Sequence, residues 1–161
     1  MVLPVTTSQN RRYIPMGFVS SNVIASNAIL ITNKANIFDF GILESNMHMA
    51  WMRLTTGRMK SDYQYSIDIV YNNFPWPTPT DKQKAKIEKT AQAILDARAL
   101  YPDSSLADLY DPLTMPKELL KAHQDNDRAV MEAYGLSVKG TTESDAVAHL
   151  FKMYEKLTKE Q

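Results

Sequence analysis

Apolar residues recur along this chain with two different periods, and the change of character comes near residue 77. Over residues 41–56, Leu43, Met47, Ala50, Trp51 and Leu54 fall at i, i+4, i+7, i+8 and i+11, one face of a helix. Thr55, Thr56 and Gly57 end it, with Gly57 free to take a left-handed C′ conformation. From about residue 58 to 72 the period becomes two. Lys60, Asp62, Gln64, Ser66 and Asp68 share one face of a predicted long strand. Met59, Tyr63, Tyr65, Ile67, Ile69 and Tyr71 lie on the other, with a register shift near Ser66 that predicts a bulge. Phe74-Pro75-Trp76-Pro77-Thr78-Pro79 then forbids both helix and inner strand, because proline lacks an N–H and restricts its predecessor.

Upstream, residues 2–5 read as an edge strand that Pro4 bars from an inner position. Residues 13–19 and 28–32 read as two more strands, and residues 37–40 as a first helical turn. This is thin for an independent sheet, so the pattern predicts open edges and earlier strands upstream in a longer protein. Beyond Pro79 the chain turns helical. Thr80 and Gln83 have capping-box spacing for a helix to about Leu100, with Ile87, Ala91, Ile94, Leu95 and Arg98 on one face. A short helix follows over residues 104–110. Another runs from Pro116 to Gly135, with Leu119, Leu120, His123, Asp127, Val130, Met131 and Tyr134 inward or nearly so, and a last one is capped by Thr142, with Val147, Leu150, Phe151, Tyr154 and Leu157 as its face. Three longer helices joined by short loops predict a small antiparallel bundle.

The chain has 161 residues, no cysteine and a formal net charge of zero. That excludes disulfides, cysteine nucleophiles and thiolate metal sites together. His48, His123 and His149 lack ligand spacing, so no metal site is expected. No apolar run is long enough to span a membrane and no cleavable leader is visible, which points to a cytoplasmic protein. Residues 1–77 hold six Lys/Arg against four Asp/Glu, and residues 78–161 twelve against fourteen, so charge alone favours an ordinary solvated surface.

No phosphate loop, nucleophile elbow or metalloprotease motif occurs, and no catalytic residue is expected. The set Lys60-x-Asp62-x-Gln64 carries the most chemistry. A lysine can donate to guanine and an aspartate can accept from the paired cytosine, so one G·C pair could be read across both strands. A same-strand ion pair on a solvated face also explains the spacing, and from spacing alone it is clearly favoured. Arg11, Arg12, Arg53 and Arg58 are candidates for phosphates or for turn satisfaction. Trp51, Phe74 and Trp76 read as core or staple residues, and the three histidines as packed ones.

Residues 40–77, FGILESNMHMAWMRLTTGRMKSDYQYSIDIVYNNFPWP, with RRYIPMGF upstream, resemble the target-recognition region of MmeI-like and YeeA-like adenine-specific DNA methyltransferases, including fused restriction–modification enzymes. Residues 81–161 resemble the C-terminal helical domain of that family. In the family an N-terminal catalytic domain binds S-adenosylmethionine and flips adenine through an N-P-P-[YF] motif, which does not occur in this chain. The resemblance implies base reading by the stretch matching residues 60–64, with Gln64 standing where the family often has Arg.

The expectations are therefore these. The fold class is α+β: a partial β-rich recognition domain with one central helix (1–77), then a helical bundle (80–161). Lys60, Asp62 and Gln64 read bases and Arg12, Arg53 and Arg58 hold the DNA backbone. The partners are double-stranded DNA and an N-terminal methyltransferase domain, with no membrane. This part holds no cofactor and is not itself an enzyme; S-adenosylmethionine belongs to the parent. The rival is a structural module that clamps recognition and catalytic domains, or binds another subunit, without touching DNA.

Overall fold

A computed structural model describes residues 1–159. Its sheets are small and antiparallel. β1 (Val2–Pro4) pairs with β3 (Ile29–Ile31), and β2 (Thr6–Thr7) lies beside β5 (Asp62–Gln64), which pairs in turn with β4 (Gly57–Met59). Val5 joins the two sheets: its N–H donates to Ala28 O at 2.9 Å and its carbonyl accepts from Tyr65 N at 2.7 Å. One six-residue segment, 2–7, is thus the spine of both. The strand expected over residues 13–19 is reduced to one bridge, Val2 to Gly17. Tyr13, Ile14 and Met16 are buried instead. The backbone of Met16 is satisfied by side chains, its N–H by Glu44 at 3.1 Å and its carbonyl by Arg98 at 2.6 Å.

The single central helix is corrected to two, α1 (Ile37–Leu43) and α2 (Asn46–Thr55). Asn36 and Asp39 form a capping box at the start of α1. Ser45 then ends one helix and starts the next. Its hydroxyl donates to Ile42 O at 2.6 Å and accepts from His48 N at 3.4 Å. Leu43 therefore belongs to α1, and Leu54 at the far end of α2 is exposed. The long strand over 58–72 is also corrected, to the β4–β5 hairpin and a single π-helical turn, Ile67–Tyr71. Lys60 takes φ 57°, which lets Lys60-Ser61 reverse the chain. Ser66 caps the π turn through Ile69 N at 3.3 Å, and Trp51 Nε1 holds its Val70 carbonyl at 3.1 Å. Gly57 is not left-handed; it opens β4.

The second half supplies α3 (Asp81–Ala99), the short α4 (Leu106–Leu109), α5 (Lys117–Ala133) and α6 (Glu143–Lys159). The Thr80–Gln83 capping box forms as expected. Gly135, at φ 73°, closes α5. α3 and α5 run antiparallel: Gln83 Nε2 donates to Glu132 O at 3.0 Å near one end, and Tyr101 donates to Glu118 at 2.9 Å near the other. The architecture is α+β, and its helical layer includes helices of both halves. α1 lies on α3 and α5, with Gly41 directly against Ile87 and Ala91. α6 lies on α2, where Trp51 meets Phe151 and Tyr154. One continuous core results, running from Leu3, Tyr13 and Met16 through Phe40 and Met47 to Ile94, Leu119 and Leu150. On α6, Ala146 and Leu150 are buried, whereas Phe151 and Leu157 stay partly open to solvent. No helix among the described residues is long and apolar enough to cross a membrane.

Candidate nucleic-acid interface

The β4–β5 hairpin projects three of the six candidate residues at its tip and along one strand. Lys60 occupies the turn itself, exposed, and is not on the strand face that alternation predicts. Asp62 and Gln64 do share a face of β5, on either side of the buried Tyr63. Asp62 is half-buried because its Oδ1 accepts from Gln9 N at 3.3 Å. That bond ties the hairpin to the loop carrying Arg11 and Arg12 and leaves Oδ2 without a hydrogen-bond partner among the described residues. Gln64 is opposite Thr6 on one side and Gly57 on the other, with its side chain exposed.

The three arginines stand in different settings. Arg12 and Arg53 line one cleft of about 250 Å³ together with Tyr13, Asp127 and Glu143. Arg53 is engaged there, pairing with Glu143 of α6 at 3.0 Å. Arg58 lies across its own hairpin with its guanidinium 4.5 Å from the centre of the Tyr63 ring. Arg11 lines a second cleft, about 500 Å³, against Asp111, Pro112 and Leu113.

Behind this surface runs a buried polar seam; sequence reading put Arg98, His123 and Asp127 on inward helix faces but missed Glu44 and the network that joins them. Glu44, at the C-cap of α1, accepts from Arg98 of α3 at 2.8 Å. Arg98 also donates to Met16 O and to the Tyr110 hydroxyl, which meets His123 Nε2 at 2.7 Å. Burial pushes the Glu44 carboxyl up to about 7, against the pull of the Arg98 guanidinium and the Met16 amide. Burial works against the charge of Arg98 too, but Glu44 and Tyr110 outweigh it, so its pKa is raised. Nearby, Asp127 accepts from the Tyr13 hydroxyl at 2.6 Å and from Asn46 N at 2.7 Å. Burial lifts it to about 6, while those two bonds pull it back. His48 and His123 are both buried, and burial lowers each to about 3, so they are neutral packing groups. His48 Nε2 meets the Tyr65 hydroxyl at 2.9 Å. The only sequence hint of the seam was its position: charged residues at helix-face positions otherwise occupied by apolar ones. Among the described residues no cluster of His, Asp and Glu is arranged to hold a metal ion.

Two family models match the chain end to end: the MmeI target recognition domain over residues 1–78 and the MmeI C-terminal domain over residues 79–161. The chain is 40% identical over 158 residues to DNA methyltransferase A of Bacillus subtilis (strain 168), covering 98% of this chain and 18% of that protein. Among solved structures it matches MmeI, a Type IIL restriction-modification enzyme in complex with DNA, with TM-score 0.93 and 51% identity. That match covers 98% of this chain and 21% of the other. The chain thus spans about a fifth of the length of the relatives it matches.

Proposed function

The chain belongs to the MmeI family, as a target recognition domain followed by a C-terminal domain, and on that premise we propose that it reads bases of a double-stranded DNA site for a longer methyltransferase. The observation that carries the proposal is the β4–β5 hairpin. It sets Lys60 at its exposed tip, and Asp62, with one carboxylate oxygen unpaired among the described residues, at the start of the strand that follows. In this reading Lys60 donates to guanine and Asp62 accepts from the paired cytosine, with Gln64 next in line. Arg12 and Arg53 hold phosphates at the neighbouring cleft. Residues 1–77 form the reading unit and residues 80–161 its support.

Methyl transfer from S-adenosylmethionine is assigned to a catalytic domain N-terminal to this region in a longer protein. Two clefts of this chain set arginine against carboxylate, Arg11 against Asp111 and Arg12 with Arg53 against Asp127 and Glu143. Those residues are assigned no step of the transfer.

A structural role for the helical half has its own support. α3 and α5 cradle α1, α6 covers α2, and Arg98 reaches into the recognition half. We assign residues 80–161 this buttressing part.

The test is binding to a random duplex pool, titrated with salt and followed by sequencing of the bound fraction. Salt-dependent binding enriched for a motif with a G·C position is expected. The double change Lys60→Glu with Asp62→Arg should favour the reversed pair. Unaltered preference after the swap, or binding without enrichment, would overturn base reading.

A further inference from the structure

We infer that Arg58 is a positioning residue, which locks the hairpin turn so that Lys60 faces the DNA, and does not hold a phosphate. The inference rests on the base-reading role proposed for Lys60 and Asp62. Arg58 and Tyr63 are direct cross-strand partners in the β4–β5 ladder. The guanidinium lies over the Tyr63 ring at 4.5 Å and donates to the Tyr63 hydroxyl at 3.4 Å. Its other terminal nitrogen donates to the carbonyl of Ser61 at 3.4 Å. One side chain therefore spans from the buried ring of the hairpin to its tip.

The tip needs such support. Lys60 sits at φ 57°, in the left-handed region that L-residues with a Cβ seldom enter. Glycine, asparagine or aspartate relieve a turn of this kind, and the sequence places Lys60 and Ser61 there. The local preference of these two residues thus opposes the reversal that Met59 and Asp62 pair across. Among the described residues, the Arg58–Ser61 contact is the side-chain hydrogen bond that reaches the turn. It fixes the carbonyl of Ser61, the second residue of the turn that holds Lys60. Thr56, whose hydroxyl donates to the Gln64 carbonyl, secures the other end of the hairpin.

The chemistry calls for arginine. The flat guanidinium stacks on a phenol ring and still offers N–H groups in its own plane. A lysine would keep the charge and lose both the stack and the fork. A phosphate contact and a positioning residue therefore separate cleanly. A phosphate contact depends on charge and enters the salt slope. A turn clamp depends on shape and enters base preference.

The experiment is the same pool selection and salt titration on the intact chain, with Arg58→Lys, Arg58→Ala and Tyr63→Phe. Arg58→Lys is expected to leave the salt slope unchanged and to lower enrichment at the G·C position tenfold or more. Tyr63→Phe, which keeps the stack, should stay within about twofold of the parent. Amide hydrogen exchange over residues 57–64 in the free protein gives a readout independent of DNA. It should quicken in Arg58→Lys while the global unfolding midpoint holds. Full base preference and unchanged exchange in Arg58→Lys would overturn the inference. So would an Arg58→Ala variant that flattens the salt slope by about 0.9, one phosphate, with preference intact. If the Lys60/Asp62 swap leaves preference unaltered, the base-reading proposal falls by itself, and the exchange comparison still decides whether Arg58 holds the turn.

Discussion

Arg98 Nη2 and Glu44 Oε1 lie 2.8 Å apart at the junction of the two halves, and the Glu44 side chain is wholly buried. The pair has cooperating partners, Met16 on the recognition side and Tyr110 on the helical side. Removing one member strands the other in a medium that cannot solvate it. Arg98→Met should cost about 3–5 kcal/mol of stability. The double variant Arg98→Met with Glu44→Met should recover a large part of that loss. Urea unfolding of the three proteins measures both, and a single variant as stable as the parent would show the seam to be dispensable.

Gly41 lets α1 approach α3 closely. A Cβ there would sit 2.8 Å from Ile87 Cγ2 and 2.9 Å from the Cβ of Ala91. Both neighbours are core atoms on a long, well-capped helix, so neither yields easily. Gly41→Ala should destabilise by about 1–3 kcal/mol, outweighing the helix-propensity gain of alanine. Thermal unfolding checks this; a rise in midpoint would mean that α1 can shift without loss.

Arg53 donates to Glu143 in this structure, and both side chains are partly exposed. Losing so open a pair should change stability by about 1 kcal/mol or less. Its effect on DNA binding should be larger if Arg53 meets a phosphate. Glu143→Gln releases the guanidinium and is expected to steepen the salt slope by up to about 0.9. Arg53→Ala should flatten it. Identical slopes for parent and both variants would remove Arg53 from the DNA contact set.

Stability should respond to acid in two stages. His48 and His123 titrate near 3 in the folded chain and near 6.5 when unfolded, so the unfolded state gains protons first and both groups reduce stability over that fall in pH. Asp127 and Glu44 act in the opposite direction. Their folded values, about 6 and about 7, exceed the ordinary 3.8 and 4.5, so each adds stability as pH falls through its own window. Two groups against two gives a plateau from pH 4.5 to 6. Below 3.8 the histidines act unopposed by those carboxyls, and stability should fall by roughly 3 kcal/mol per pH unit. Urea midpoints across this range test it; an unbroken steep loss from pH 6.5 would contradict the assignment.

Much of the helical half was legible because its boundaries are written in side chains that act locally. Thr80 with Gln83 and Gly135 each mark a helix end that needs no tertiary help. The hairpin was not legible, because Lys60 is not a residue suited to a positive φ and the reversal is held by a contact from Arg58. The π turn was misread for a related reason. Ile67, Ile69 and Val70 are β-branched and favour a strand, while Ser66 and the Trp51 contact impose the turn. Alternation did put Asp62 and Gln64 on one face, and it extended that face wrongly to Lys60. The apolar faces of α1 and α2 were visible as faces, but a sequence does not say what covers them. Here it is α3, α5 and α6.

Along β5, the fold is held by Tyr63, which points inward, and the proposed reading is done by Asp62 and Gln64, which point outward. Lys60 at the tip and Gln64 on the strand are both exposed, so exchanging either removes little buried surface, whereas exchanging Asp62 also gives up its bond to Gln9 N. Variants at 60 and 64 can therefore change with little cost to the core, within what the positive φ of residue 60 allows. On the proposed reading, a lineage using this hairpin could alter its target one letter at a time while the scaffold beneath stays put.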